Sequence, residues 1–103
     1  MDTIKAEELE YFRKDKWRVL DVRTKEEYIS GNINADYNFD YYSPTFAEKL
    51  NELSKEKNYI VYCKSGGRSS KAMSLMKELG FKNVKNLEGG ITAWIEKGFS
   101  ITK

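Results

Sequence analysis

The residues from Cys63 to Ser69 place the only cysteine of the chain, two glycines and two cationic side chains within one short segment. Lys64 and Arg68 supply the cations, and no acidic residue lies between Tyr59 and Lys77. Positive neighbours lower the pKa of a thiol, and the thiolate is its nucleophilic form. We therefore predict that Cys63 is a nucleophile that ionises readily.

The two glycines of this segment predict a backbone loop that binds an anion. Adjacent glycines allow a tight turn whose amide groups all point inward, and a helix that begins there adds partial positive charge. A planar fork of donors on Arg68 and a mobile charge on Lys64 complete the predicted cradle. Such a cradle would also stabilise a persulfide on the cysteine. The predicted anion-binding residues are Lys64, Ser65, Gly66, Gly67, Arg68 and Ser69.

The composition excludes several other kinds of chemistry. The chain has no histidine, so imidazole is absent as a base, nucleophile or metal ligand. One cysteine cannot form an intrachain disulfide or a multi-cysteine zinc site. No Gly-Lys-Ser/Thr triplet is present, which excludes a P-loop for nucleotides. We predict neither a metal nor a cofactor.

The length of 103 residues, with 40% hydrophobic and 33% charged residues, predicts one globular domain over residues 1–103. The net charge of +2 divides into −4 for residues 1–56 and +6 for residues 57–103. The positive residues outside the loop are scattered, as on a solvated face, so we expect no nucleic-acid partner. The longest apolar run, Tyr59 to Cys63, is too short for a membrane span, and the first sixteen residues are too charged for a signal peptide. We predict a cytoplasmic protein without a membrane partner.

Strand-like and helix-like segments alternate along the chain. This alternation predicts a three-layer α/β sandwich, with a central mainly parallel sheet and helices on both faces. The expected strands are Thr3–Ile4, Trp17–Val22, Ile33–Tyr37, Tyr59–Tyr62 and Val84–Leu87. Five helices are expected. The first contains Leu9 and Phe12, and the second follows a Thr24–Glu27 capping box. The third opens at Ser43 and Pro44, the fourth follows Cys63, and the fifth runs from Ile91 to Lys97.

In parallel sheets, ligands bind at the carboxyl ends of the strands. Three segments follow the ends of the central strands: Asp21 to Arg23, Cys63 to Ser69, and Glu88 to Gly90. We expect these three segments to meet at one edge of the sheet.

The sequence resembles the rhodanese family of sulfurtransferases over nearly its whole length, and most closely its small single-domain members. The loop fits the family pattern of cysteine, two residues, glycine, one residue, arginine and serine. Two further segments resemble the family's first and last signatures. The matching residues are Asp21, Val22, Arg23, Glu27, Tyr28, Gly31 and Ile33 in the first, and Leu87, Gly89, Gly90, Trp94 and Gly98 in the last. Asn32 departs from a common histidine, and Lys64 replaces an arginine of some thiosulfate-using members.

The resemblance implies a two-step sulfur transfer. The Cys63 thiolate takes a sulfur atom from an anionic donor such as thiosulfate and passes it to cyanide or a thiol. A sulfur-accepting protein is a further candidate partner. The resemblance also implies that Asp21, Arg23 and Glu27 support the site structurally, with Arg23 paired to Glu27 or another carboxylate.

Two alternatives remain open at this stage. The chain could be a persulfide carrier or docking module for a partner protein, and its intact cysteine does not separate a carrier from an enzyme. The other alternative is a cysteine phosphatase or arsenate reductase of related fold. Those enzymes need five residues between the cysteine and the arginine, whereas Cys63 and Arg68 enclose four, and Ser69 occupies the phosphatase arginine position. Loop length therefore favours sulfur transfer.

Overall fold

The computed structural model describes residues 2–103, which form a five-stranded sheet with helices packed on it. All four pairings between the strands are parallel, and the strand order is β1-β5-β4-β2-β3. The strands are β1 (Thr3–Ile4), β2 (Arg18–Asp21), β3 (Tyr37–Asn38), β4 (Asn58–Tyr62) and β5 (Asn83–Leu87). The parallel sheet confirms the α/β fold predicted from the sequence.

Five α-helices connect or follow these strands. They are α1 (Leu9–Lys14), α2 (Lys25–Ser30), α3 (Phe46–Asn51), α4 (Gly67–Glu78) and α5 (Gly90–Glu96). Within residues 2–103, no helix is both long enough and apolar enough to span a bilayer.

Two hydrophobic cores lie on opposite faces of the sheet. Successive side chains of a strand point to opposite faces, so along β4 Val61 packs in one core and Ile60 in the other. Leu50 of α3 and Met76 of α4 pack with Val61. The core around Ile60 receives Leu9 of α1, and also Ile91 and Trp94 of α5. This arrangement confirms the prediction of helices on both faces.

Two predicted boundaries are wrong for local reasons. The helix expected at Ser43 begins at Phe46, because the Ser43 hydroxyl accepts a hydrogen bond from the Thr45 amide (3.2 Å) and holds a turn. The strand expected from Ile33 is only Tyr37–Asn38. Its first residues are held in a turn, where the Asn32 side chain accepts from the amide of Asn34 (2.8 Å) and Asn34 has φ +62°.

Candidate functional site

Cys63 lies at the carboxyl end of β4, and its loop leads directly into α4. Gly66 adopts φ +114°, a conformation that residues with a Cβ rarely adopt. In this conformation its amide donates a hydrogen bond to Cys63 Sγ at 3.0 Å. The requirement for glycine at position 66 therefore follows from the contact with the sulfur.

The Cys63 sulfur is buried and surrounded by hydrogen-bond donors. The residue is 1% exposed. Burial raises the pKa of the Cys63 thiol, but the Ser69 hydroxyl at 3.4 Å and the amides of Ser69, Gly66 and Ser65 outweigh it. The net pKa lies below the ordinary value of a thiol. Of the loop amides expected to point inward, that of Gly66 makes a direct hydrogen bond to Sγ, at 3.0 Å.

The start of α5 fixes the other side of this loop. The amides of Ile91 and Thr92 donate to the carbonyl oxygens of Cys63 and Lys64, each at 3.0 Å. Gly90 is required at this contact, because a Cβ there would lie 2.3 Å from the Cys63 oxygen. The sequence predicts that Gly90 lies near the site, but it does not predict these amide contacts. The signal for them is the pair of adjacent glycines, Gly89 and Gly90, that follows β5.

Arg68 is paired with Glu27 in the structure. Its guanidinium donates to both carboxylate oxygens, at 2.8 and 3.0 Å, and its Cζ atom lies 5.7 Å from the centroid of the Tyr42 ring. The Arg68 hydrogen bond lowers the pKa of Glu27 to about 2, against the effect of burial, and the Thr24 amide adds to the lowering. The predicted capping box is confirmed and explains the pairing, since it orients the Glu27 side chain from the start of α2.

A second ion pair lies deeper, below the carboxyl edge of the sheet. Arg23 donates to Asp21 at 2.8 Å and to the Gly31 carbonyl at 2.7 Å, and Tyr62 donates to Asp21 at 2.7 Å. Burial lowers the pKa of Arg23, but hydrogen bonding and charge from Asp21 more than compensate and raise it. Burial, together with Asp21, raises the pKa of Tyr62. Arg23 therefore pairs with Asp21 rather than with Glu27, and no sequence pattern predicts the contact with Tyr62.

A groove of about 310 Å³ lies beside the loop. Lys64 and Glu27 contribute charge to its wall, and Ile91, Ile95 and Ile101 contribute apolar surface. Lys64 is exposed, in contrast to the buried cysteine that precedes it. The groove offers room for a small anionic molecule next to the loop.

The structure brings most of the predicted residues together. Arg68 links α2, the helix after the Asp21–Arg23 segment, to the loop after β4 through Glu27, and the start of α5 links the segment after β5 to the same loop. Asn86 of β5 is a site residue that was not predicted: its side chain is buried, and its Oδ1 accepts a hydrogen bond from the Ser69 hydroxyl at 2.6 Å. Nothing in the pattern of β5 distinguishes this asparagine from an ordinary strand residue.

A parallel sheet with helices on both faces, carrying a cysteine loop at its carboxyl edge, is the arrangement expected of a rhodanese-like domain. The rhodanese-like domain family matches residues 5–97 of the chain. The chain therefore belongs to this family.

Relatives in plants and archaea agree with this assignment. The chain is 37% identical over 91 residues to "Thiosulfate sulfurtransferase 16, chloroplastic" of Arabidopsis thaliana, a match that covers 79% of this chain and 76% of the relative. It is 30% identical to "Rhodanese-like domain-containing protein 17" of the same plant, covering 96% and 71% of the two chains. The crystal structure of a rhodanese-related protein from Thermoplasma volcanium superimposes with a TM-score of 0.86 at 35% identity, covering 99% and 98%.

Proposed function

We propose that this protein is a sulfurtransferase that moves sulfane sulfur from an anionic donor such as thiosulfate to a thiophilic acceptor through a persulfide on Cys63. The observation that carries the proposal is the surroundings of the buried Cys63 sulfur: the Gly66 amide donates to it at 3.0 Å, and the Ser69 hydroxyl lies 3.4 Å from it. They favour an anionic sulfur, so the nucleophile forms without a base.

The proposed reaction has two displacement steps. The Cys63 thiolate attacks the outer sulfur of thiosulfate, a bond forms between Cys63 Sγ and that sulfur, and the S–S bond of the donor breaks to release sulfite. Cyanide or a thiolate then attacks the outer sulfur of the persulfide and leaves as thiocyanate or as a new persulfide. The second step returns the Cys63 thiolate, and the loop amides stabilise the sulfur anion in both steps.

Lys64 is the proposed cation for the donor, because it is exposed and borders the groove beside the loop. Arg68 was also expected to bind the donor. In its pairing with Glu27, its guanidinium acts on the site by its charge and by holding the first turn of α4. The remaining loop residues, Ser65, Gly66, Gly67 and Ser69, are proposed to bind sulfur through the backbone and the Ser69 hydroxyl.

The phosphatase alternative has less support. A phosphatase loop has five residues between its cysteine and its arginine, whereas Cys63 and Arg68 enclose four, and Ser69 stands where the phosphatase arginine would be. A protein acceptor in place of a small thiol uses the same chemistry, so the carrier alternative differs only in the second step.

Intact-mass measurement after incubation with thiosulfate tests the proposal. We expect the wild type to gain one sulfur atom and to lose it on addition of cyanide, with thiocyanate released. Cys63→Ser should gain none, because its hydroxyl ionises far less readily than a thiol. A wild type that gains no sulfur from thiosulfate or from a small organic persulfide would contradict the proposal. A wild type that gains sulfur but transfers it to neither cyanide nor a small thiol would favour the carrier.

A further inference from the structure

The hydroxyl of Ser69 faces more acceptors than it has protons. Its Oγ lies 3.4 Å from Cys63 Sγ, 3.2 Å from the Gly66 carbonyl oxygen and 2.6 Å from Asn86 Oδ1. A serine hydroxyl has one proton to donate and two lone pairs that accept. Ser69 therefore donates to one of these atoms at a time, and its other neighbours face oxygen lone pairs.

The Gly66 carbonyl does not need the Ser69 proton to be hydrogen-bonded, because it already accepts from the Ser70 amide at 3.0 Å. The choice for the Ser69 proton is thus between Cys63 and Asn86. Ser69 is fully buried and Asn86 is 7% exposed, so bulk water does not substitute readily for either partner.

The Asn86 amide can face Ser69 with either of its two ends. A half-turn about its terminal torsion exchanges Oδ1 and Nδ2 with almost no change of shape. With Oδ1 toward Ser69, the hydroxyl donates to Asn86 and presents a lone pair to Cys63, which suits a neutral thiol. With Nδ2 toward Ser69, the amide donates to Oγ and the hydroxyl donates to Cys63, which suits a thiolate.

We infer that Asn86 is a positioning residue, whose side-chain amide turns when Cys63 ionises and thereby directs the Ser69 proton to the sulfur anion. The inference rests on the proposed function only in taking the Cys63 thiolate as the nucleophile. No bond to the sulfur is made by Asn86 itself. It acts through Ser69, and its effect must disappear when the Ser69 hydroxyl is removed.

The sign of the effect follows from the charge of the two states. Asn86→Leu keeps approximately the same side-chain volume and removes both ends of the amide. When Cys63 is a neutral thiol, the Ser69 hydroxyl loses its acceptor. When Cys63 is a thiolate, the Ser69 hydroxyl loses the amide donor that directs its proton to the sulfur. Hydrogen bonds to an ionised group are stronger than those between neutral groups. The thiolate state therefore loses more, and the Cys63 pKa should rise in this variant.

The test is the rate of Cys63 alkylation by iodoacetamide as a function of pH, which requires no sulfur donor. For Asn86→Leu we expect the pH profile to move upward and the rate below the pKa to fall roughly threefold to tenfold, where tenfold corresponds to one pH unit. Asn86→Thr retains a hydroxyl donor and suits a strand, so it should recover part of the loss.

Asn83→Leu is the matched control, since Asn83 lies on the same strand and donates to Asn58 at 2.8 Å, and should leave the profile unchanged. The charged groups Lys64, Arg68 and Glu27 are the same in every variant.

The decisive comparison uses Ser69→Ala. In that background, adding Asn86→Leu should change the alkylation profile no further. An unchanged or lowered Cys63 pKa in Asn86→Leu, or a shift that persists without the Ser69 hydroxyl, would overturn the inference. Should Asn86→Leu fail to fold, the same cycle with Asn86→Thr decides. A wild type that shows this coupling but accepts no sulfur would contradict the proposed function and leave the role of Asn86 intact.

Discussion

Two arginine–carboxylate pairs lie near the thiol, and they differ in what surrounds them. Asp21 and Arg23 are almost completely buried and are also bonded to Tyr62 and the Gly31 carbonyl. Glu27 and Arg68 are partly exposed, with side-chain exposures of 31% and 17%, and Arg68 lies in the first turn of the helix that follows the loop. The comparison indicates that the buried pair holds the sheet edge together, whereas the exposed pair adjusts the charge at the thiol.

The burial of the first pair has an energetic consequence. Removal of one partner from a buried ion pair leaves a charge without compensation, while an exposed charge regains water. The two arginines are therefore expected to affect different measurements, stability for Arg23 and thiol reactivity for Arg68.

The largest effect is expected from Arg23→Leu. This change leaves Asp21 buried without its cation, and the free energy of unfolding should fall by about 3–5 kcal/mol. Urea unfolding of the full chain measures it. The double variant Arg23→Leu with Asp21→Leu should recover part of the loss, because it removes the uncompensated charge. A loss below about 1 kcal/mol for Arg23→Leu would place this pair in the same energetic class as the exposed one.

The next effect is expected from Arg68→Met, which removes the charge but retains much of the aliphatic stem. The free energy of unfolding should fall by less than in Arg23→Leu, because both partners are partly exposed and water replaces part of the lost interaction. The Cys63 pKa should rise, because the cation interacts electrostatically with the sulfur. Alkylation against pH measures the rise, and Lys71→Met, which removes a charge from the same helix, is the control. An unchanged Cys63 profile would show that Arg68 only holds the helix in place.

These pairs also show how much of the site could be read from the sequence. The loop with Cys63 and the Thr24–Glu27 capping box are local in the chain, so spacing alone predicted them. The partners of the arginines are set by the tertiary fold: Arg68 is 41 residues from Glu27, and Tyr62 is 41 residues from Asp21. Spacing along the chain carries no information on such contacts, which is why Arg68 was expected to face the donor.

The same distinction holds for the fold. The order of strands and helices follows from hydrophobic patterns and was predicted, with a strand at Tyr59–Tyr62 that agrees with β4 to one residue. The start of α3 and the extent of β3 depend on individual side-chain hydrogen bonds, by Ser43 and by Asn32, that a periodicity does not encode. Polar side chains that bond to their own backbone compete with regular structure in this way.

A smaller effect is expected on the pH dependence of stability, through the carboxyl group of Glu27. The Glu27 pKa of about 2 lies below its ordinary value of 4.5. The stabilising contribution of the Glu27–Arg68 pair is therefore complete above about pH 4.5 and is lost as the pH falls through about 2. A carboxyl titration by NMR should give the low value in the wild type. In Arg68→Met it should return toward the ordinary value, because the bidentate partner is gone; a low pKa in that variant would assign the lowering to Thr24 instead.

The smallest effect is expected from Tyr42→Leu. Tyr42 is 68% exposed, and its ring covers the Arg68 guanidinium, with 5.7 Å from Cζ to the ring centroid. An exposed cation–π contact contributes about 0.5–1 kcal/mol, and Glu27 continues to hold Arg68 in the variant. We therefore expect a loss of stability below about 1 kcal/mol and a Cys63 alkylation profile close to that of the wild type.

Tyr11→Leu is the matched control, since Tyr11 is 80% exposed on α1. Rates of sulfur transfer at saturating and limiting thiosulfate complete the measurement. A more than tenfold loss at limiting thiosulfate with an unchanged thiol pKa would show that the Tyr42 ring contacts the donor, and would make the exposed pair part of the binding surface rather than a means of adjusting the charge at the thiol.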